Sequence, residues 1–163
     1  IYKEHTNAIG FIVGGYDNTD HYYHSLCAKI TGLNLNNKLI FTGYRTDISY
    51  FLNLFEIVFH CSIIPEPLGT VILEAMACSK PVVAYNLGGA AEMVISMKTG
   101  ILVPFKEYRM LGEAGPSLLG DPQLAKNYGR QGFQRYKDFF TGKASTRQIE
   151  EVYDTILTDS VSR

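Results

Sequence analysis

Short continuous apolar runs alternate along this chain with segments whose apolar residues recur at helical spacing. The runs at 8–13 (A-I-G-F-I-V), 38–42, 56–61 (E-I-V-F-H-C), 81–85 (P-V-V-A-Y) and 100–103 read as strands, the first of them of the buried type. The segments at 21–31, 48–54, 70–78 and 90–96 read as helices. Tyr22, Leu26, Ala28 and Ile30 are offered for packing in the first helix, and Asp47 is a candidate N-cap for the second. The third is apolar nearly all round and should be central. Uninterrupted apolar strands separated by helices predict an α/β fold, a parallel sheet with helices on both faces. After residue 105 the pattern changes. A weak helix over 106–115 should stop at Gly115-Pro116, Asp121-Pro122 should open a polar helix to about 140, and a last helix over 145–158 should pack through Ile149, Val152, Ile156 and Leu157.

In sheets of this kind ligands bind beyond the carboxyl ends of the strands. Four loops leave those ends, at 14–20, 43–46, 62–69 and 86–89, and all are rich in Gly, Asn, Asp or Pro. The third loop and the helix after it read I-I-P-E-P-L-G-T-V-I-L-E-A-M-A-C, and Glu74 is the sole charge between Leu68 and Ser79. A carboxylate in such a run is costly to bury without a polar partner. Pro65 and Pro67 bracket Glu66, and a following proline keeps Glu66 extended and out of the helix. Gly69 lets the backbone approach a ligand, and the amides of Leu68, Gly69 and Thr70 are the unpaired donors of a helix start, a natural seat for phosphate. A nucleotide sugar would match these parts, with sugar hydroxyls to Glu66, the diphosphate to the helix start and the ribose to Glu74.

At 163 residues and 46% hydrophobic content the chain fits one domain with a real core. Lys+Arg 15 against Asp+Glu 16 leaves a net charge of −1 with no basic block, which argues against nucleic acid as a partner. Cys27, Cys61 and Cys78 show neither zinc-ligand nor disulfide spacing and read as buried thiols of a reducing, cytoplasmic setting. No apolar run is long enough to cross a membrane, and peripheral association of a longer protein is left open. The start I-Y-K-E-H-T-N enters a strand almost at once, as in a piece of a longer chain.

The stretch P-E-P-L-G-T-V-I-L-E-A-M-A-C-S-K-P-V-V-A-Y-N-L-G-G-A-A-E-M-V, with F-I-V-G-G and L-I-F-T-G-Y before it and T-G-I-L-V-P after it, resembles the donor-binding core of the group 1 (family four) retaining glycosyltransferases. The resemblance implies the C-terminal, Rossmann-like half of a GT-B fold, with the N-terminal acceptor domain absent from this chain. It also implies an enzyme that moves a sugar from a nucleoside diphosphate to an acceptor hydroxyl, with no metal and no cofactor, in polysaccharide or glycolipid synthesis. The likeness spans roughly residues 9–105 and, more loosely, the C-terminal helices. By it, Glu66 is similar to the sugar-contacting glutamate and takes the catalytic position, and Glu74 is similar to the ribose-binding one. Leu68, Gly69 and Thr70 match the amide-donating turn, and Gly14 and Gly15 the turn after the first strand. Tyr44 and Arg45 are candidates for the base pocket, and Gly88 and Gly89 for its edge. The chain departs from the family pattern in lacking an Arg/Lys phosphate loop before Ile9, in placing Leu68 where an aromatic residue is common, and in carrying Ser79 for the usual glycine. His60 reads as a structural residue. Two alternatives remain at this point, a non-catalytic nucleotide-binding or interaction module and half of a nucleotide-sugar epimerase.

Overall fold

Five strands and seven helices follow one another in the computed structural model, which describes residues 1–161. By internal contacts the chain divides into two compact units, Ile1–Phe51 and the part that begins at Leu52. In the first unit, β1 (Gly10–Val13) pairs in parallel with β2 (Leu39–Gly43), and α1 (His21–Gly32) connects them. Asp20 caps α1 by accepting from the Tyr22 amide at 2.8 Å. Only Ile30 of α1 is buried, whereas Tyr22 and Ala28 are exposed, contrary to the packing face expected of this helix. The inward aromatic is Tyr23, stacked on Tyr16 at 4.4 Å between ring centroids, with the edge of Phe41 against both rings. Phe11 and Ile9 are likewise exposed, so β1 is not the buried strand its composition suggests. A two-stranded sheet offers too little surface to cover both faces.

The second unit holds a three-stranded parallel sheet in the order β3 (Val58–His60), β4 (Val82–Tyr85), β5 (Gly100–Val103). The strands thus pair as two sets rather than through one continuous ladder. All four residues of β4 are buried, as a central strand covered on both faces requires. Val83 and Tyr85 point to one face and pack with Val103 against Leu111, Ala114 and Leu118 of α5 (Tyr108–Gly120). Alternation along the strand sends Val82 and Ala84 to the other face, and α3 (Thr70–Ala77) packs on β3 and β4 with Ile72, Ala75 and Met76 fully buried.

The helix expected to stop at Gly115-Pro116 runs through it. Proline removes one backbone donor, and the carbonyl that loses it belongs to Gly112, which is exposed to water. The buried stripe of Leu111, Ala114 and Leu118 outweighs that loss. α6 (Pro122–Phe139) begins as read from sequence, with Pro122 in its first turn and Asp121 accepting from the Leu124 amide at 2.9 Å. α6 lies on α3, and Arg135 donates from Nε to the Met93 carbonyl and from a terminal nitrogen to that of Glu92, both at 2.8 Å. This anchors α6 to α4 (Gly89–Met93). α7 (Gly142–Val161) exceeds its predicted length, and its stripe of Ile149, Val152, Ile156 and Leu157 is 57–63% exposed instead of packed.

The end of α3 shows a strained residue. Ser79 has φ +56°, with the Ser79 amide donating to the Met76 carbonyl and the Lys80 amide to that of Ala75, both at 2.9 Å. This is a Schellman closure, whose left-handed position favours glycine. The Ser79 side chain is exposed, so nothing in the packing rewards it. Ser79→Gly should therefore raise stability by about 0.5–1 kcal/mol, read as a higher midpoint in thermal unfolding. An unchanged or lower midpoint would refute the strain argument.

Candidate donor-binding site

Glu66 lies on the loop after β3, and its backbone is fixed from the loop after β4. The Gly89 amide donates to the Glu66 carbonyl at 2.8 Å. Gly88 has φ +54°, and a Cβ there would lie 2.7 Å from the Glu66 carbonyl oxygen, while one at Gly89 would lie 2.4 Å from that of Pro67. Both glycines are therefore demanded by the close passage of two loops. Their place as a pocket edge was an expectation from sequence; the structure adds a task, holding the segment that presents Glu66.

The next element starts openly. Gly69 is the N-cap of α3 and is buried, and no side chain caps the helix. The donors of its first turn are left without a side-chain acceptor, and the positive end of the helix dipole adds to their pull on an anion. Thr70 and Glu74 stand one turn apart and are both exposed, as is Leu68 at 55%. The strain of burying Glu74 that its apolar neighbours suggested does not arise, because the apolar residues Ile72, Ala75 and Met76 turn inward and the carboxylate turns to water. Glu66 is also exposed, with Oε1 3.6 Å from His60 Nε2. The candidate residues of this unit, Glu66, Leu68, Gly69, Thr70, Glu74, Gly88 and Gly89, thus lie along one loop, the first turns of the helix behind it, and the loop that braces it.

In the first unit the turns after β1 and β2 meet. The Gly14 amide donates to the Gly43 carbonyl at 3.2 Å, and a Cβ at Gly15 would lie 3.9 Å from that of Tyr44. Gly14 (φ +148°) and Gly43 (φ +71°) both use backbone open to glycine. Tyr44 is 80% exposed, a ring available for stacking. Arg45 is engaged within its own turn. Its Nε donates to Asp47 Oδ1 at 2.7 Å and a terminal nitrogen to Oδ2 at 2.6 Å, with the guanidinium 4.9 Å from the centre of the Phe51 ring. The bidentate bonds hold the Asp47 carboxyl below its usual range and push the guanidinium further up. Asp47 serves as the clamp of Arg45 at the head of α2 (Ile48–Leu54), a role its cap position did not reveal.

Of the cysteines, Cys27 and Cys78 are half-buried and Cys61 is exposed, so the reading of all three as core thiols fails for Cys61. Among the described residues no group of three His, Cys, Asp or Glu is arranged to hold a metal ion, and no helix is long and apolar enough to cross a membrane. His60 is the site neighbour that sequence reasoning set aside. Its contact with Glu66 spans a loop, and no spacing rule announces such a pair.

The family model for glycosyl transferases group 1 matches residues 1–135. Over 102 residues the chain is 41% identical to the alpha-maltose-1-phosphate synthase of Mycolicibacterium smegmatis, a match to 59% of this chain and 26% of that protein. It is 27% identical over 153 residues to the lipopolysaccharide core biosynthesis mannosyltransferase LpcC of Rhizobium leguminosarum bv. viciae, covering 93% of this chain and 43% of the relative. Among solved structures, Anabaena HepE in complex with UDP and glucose superimposes with a TM-score of 0.82 at 30% identity, over 94% of this chain and 43% of that one. The chain thus spans between a quarter and a half of the length of these relatives. A match over residues 1–135, well over half of the chain, makes this chain a member of the group 1 glycosyltransferase family.

Proposed function

We propose that this chain is the donor-binding half of a retaining glycosyltransferase that moves a sugar from a nucleoside diphosphate to an acceptor hydroxyl without a metal ion. The observation that carries this reading is the placement of two exposed carboxylates on either side of an uncapped helix start. The first-turn amides of α3 take the diphosphate and stabilise it as it leaves, the task a cation performs elsewhere. Glu74, one turn in, accepts from the ribose, and Glu66, on the proline-braced loop, accepts from the sugar and orients its anomeric carbon. Within the first unit, Gly14, Gly15, Tyr44 and Arg45 are the candidates for contact with the base. The acceptor and any general base belong to a partner domain outside this chain. The complex of the HepE relative with UDP and glucose supports the class of donor.

Calorimetric titration with UDP-, GDP- and ADP-sugars, with and without magnesium, tests the proposal. One class should bind with the same affinity in both conditions. Glu74→Ala should weaken that binding about tenfold to a hundredfold, the loss expected for hydrogen bonds to a charged acceptor. Absence of heat with every intact nucleotide sugar at millimolar concentration would remove the donor-site reading.

A further inference from the structure

His60 closes β3, and its backbone is fixed by the ladder that sets it opposite Ala84. Its side chain is 13% exposed, against 45% for Glu66, and Nε2 lies 3.6 Å from Glu66 Oε1. The same nitrogen sits beneath the start of α3, where a Cβ at Gly69 would come within 3.3 Å of it. The imidazole is thus wedged between the sheet end, the first turn of α3 and a carboxylate. Glu66, by contrast, is held through its backbone, by the Gly89 amide and the flanking prolines. None of these contacts selects a side-chain rotamer, and an exposed glutamate samples several.

We propose that His60 is a positioning residue, whose Nε2 selects the rotamer in which the Glu66 carboxylate is presented to the ligand. The proposal rests on the reading of Glu66 as the sugar-facing group. A separation of 3.6 Å is longer than a hydrogen bond, and a small side-chain torsion of the exposed glutamate closes it. The less exposed partner is the more confined one, so the histidine sets the position and the glutamate follows. Gly69 fits the same arrangement, since any side chain there would press on the imidazole.

The test compares UDP-glucose and UDP, as probes, on the unmodified chain, Glu66→Ala, His60→Ala and His60→Gln. Glutamine carries an amide nitrogen that can donate where Nε2 does. His60→Ala should weaken UDP-glucose about tenfold and leave UDP unchanged, with His60→Gln restoring most of the loss. Damage to the end of β3 alone would weaken both probes alike and would not be repaired by glutamine, an outcome that overturns the inference. A second readout needs no ligand. The side-chain carboxyl carbon resonance of Glu66 should move in His60→Ala and return towards its original position in His60→Gln. An unmoved resonance, or an unchanged ratio of the two affinities in His60→Ala, overturns the inference. If neither probe binds the unmodified chain, that failure belongs to the donor-site reading, and the resonance decides the role of His60 by itself.

Discussion

Replacing Gly129 by alanine should lower the thermal unfolding midpoint on the order of 10 °C, the equivalent of about 3 kcal/mol for a chain of this size. Gly129 is buried on the face of α6 that lies on α3, and an added Cβ would stand 1.9 Å from the Ser79 carbonyl oxygen and 2.8 Å from the Ser79 carbonyl carbon. Backbone cannot swing aside as a flexible side chain does, so the helix must move or the Schellman turn must open. The neighbouring Gly132 makes the comparison internal. A Cβ there would rest at ordinary contact distance, 3.5 Å from Met76 Cγ, so Gly132→Ala should change the midpoint far less. Differential scanning calorimetry of the two variants checks both halves. Equal effects would show that α6 shifts freely over α3 and that the close approach at Gly129 is not a constraint.

The second large effect is expected at Gly89, where stability and binding are joined. Gly89→Ala would drive a Cβ to 2.4 Å from the Pro67 carbonyl oxygen and 3.2 Å from that of Glu66, on a residue whose own amide holds the Glu66 carbonyl. The loop after β3 must retreat, and Glu66 retreats with it. Hydrogen bonds to a charged group contribute about 1.5–3 kcal/mol, so misplacing the carboxylate forfeits that much binding. Affinity for the nucleotide sugar should therefore fall about tenfold to a hundredfold, while the fold survives with its far-ultraviolet dichroism intact. Titration calorimetry on the variant decides the matter. Binding at the unmodified level would mean that the two loops are not coupled and that Gly88-Gly89 is a plain turn.

The legible parts of this protein were those written in local pattern. Strands at Val82–Tyr85 and Gly100–Val103, the start of α6 at Asp121-Pro122 and the helix from Thr70 follow from apolar runs, caps and proline placement. The order of glutamates, prolines and glycines between Pro65 and Gly89 was enough to point to a family, because that combination of residue types at those spacings is rarely met by chance. The misreadings share one cause. Pro116 should end a helix by its own chemistry, but three buried residues on β4 and β5 keep the helix whole and leave the orphaned carbonyl in water. Ile149, Val152, Ile156 and Leu157 lie on one helical stripe, but a stripe says only that a helix is amphipathic, not that anything covers it.

The site divides along the same line. By itself the sequence determined which groups are available: two carboxylates, a helix start without a side-chain cap, glycine at each turn, and the family to which that arrangement belongs. Only the tertiary structure decided what each group faces. It turned Glu74 outward, fixed the Glu66 backbone from Gly89, and set His60 beside the Glu66 carboxylate. The physical reason is range. Caps, periodicity and proline act within a few residues along the chain, whereas the direction of a side chain is set by atoms that the fold brings together from distant positions.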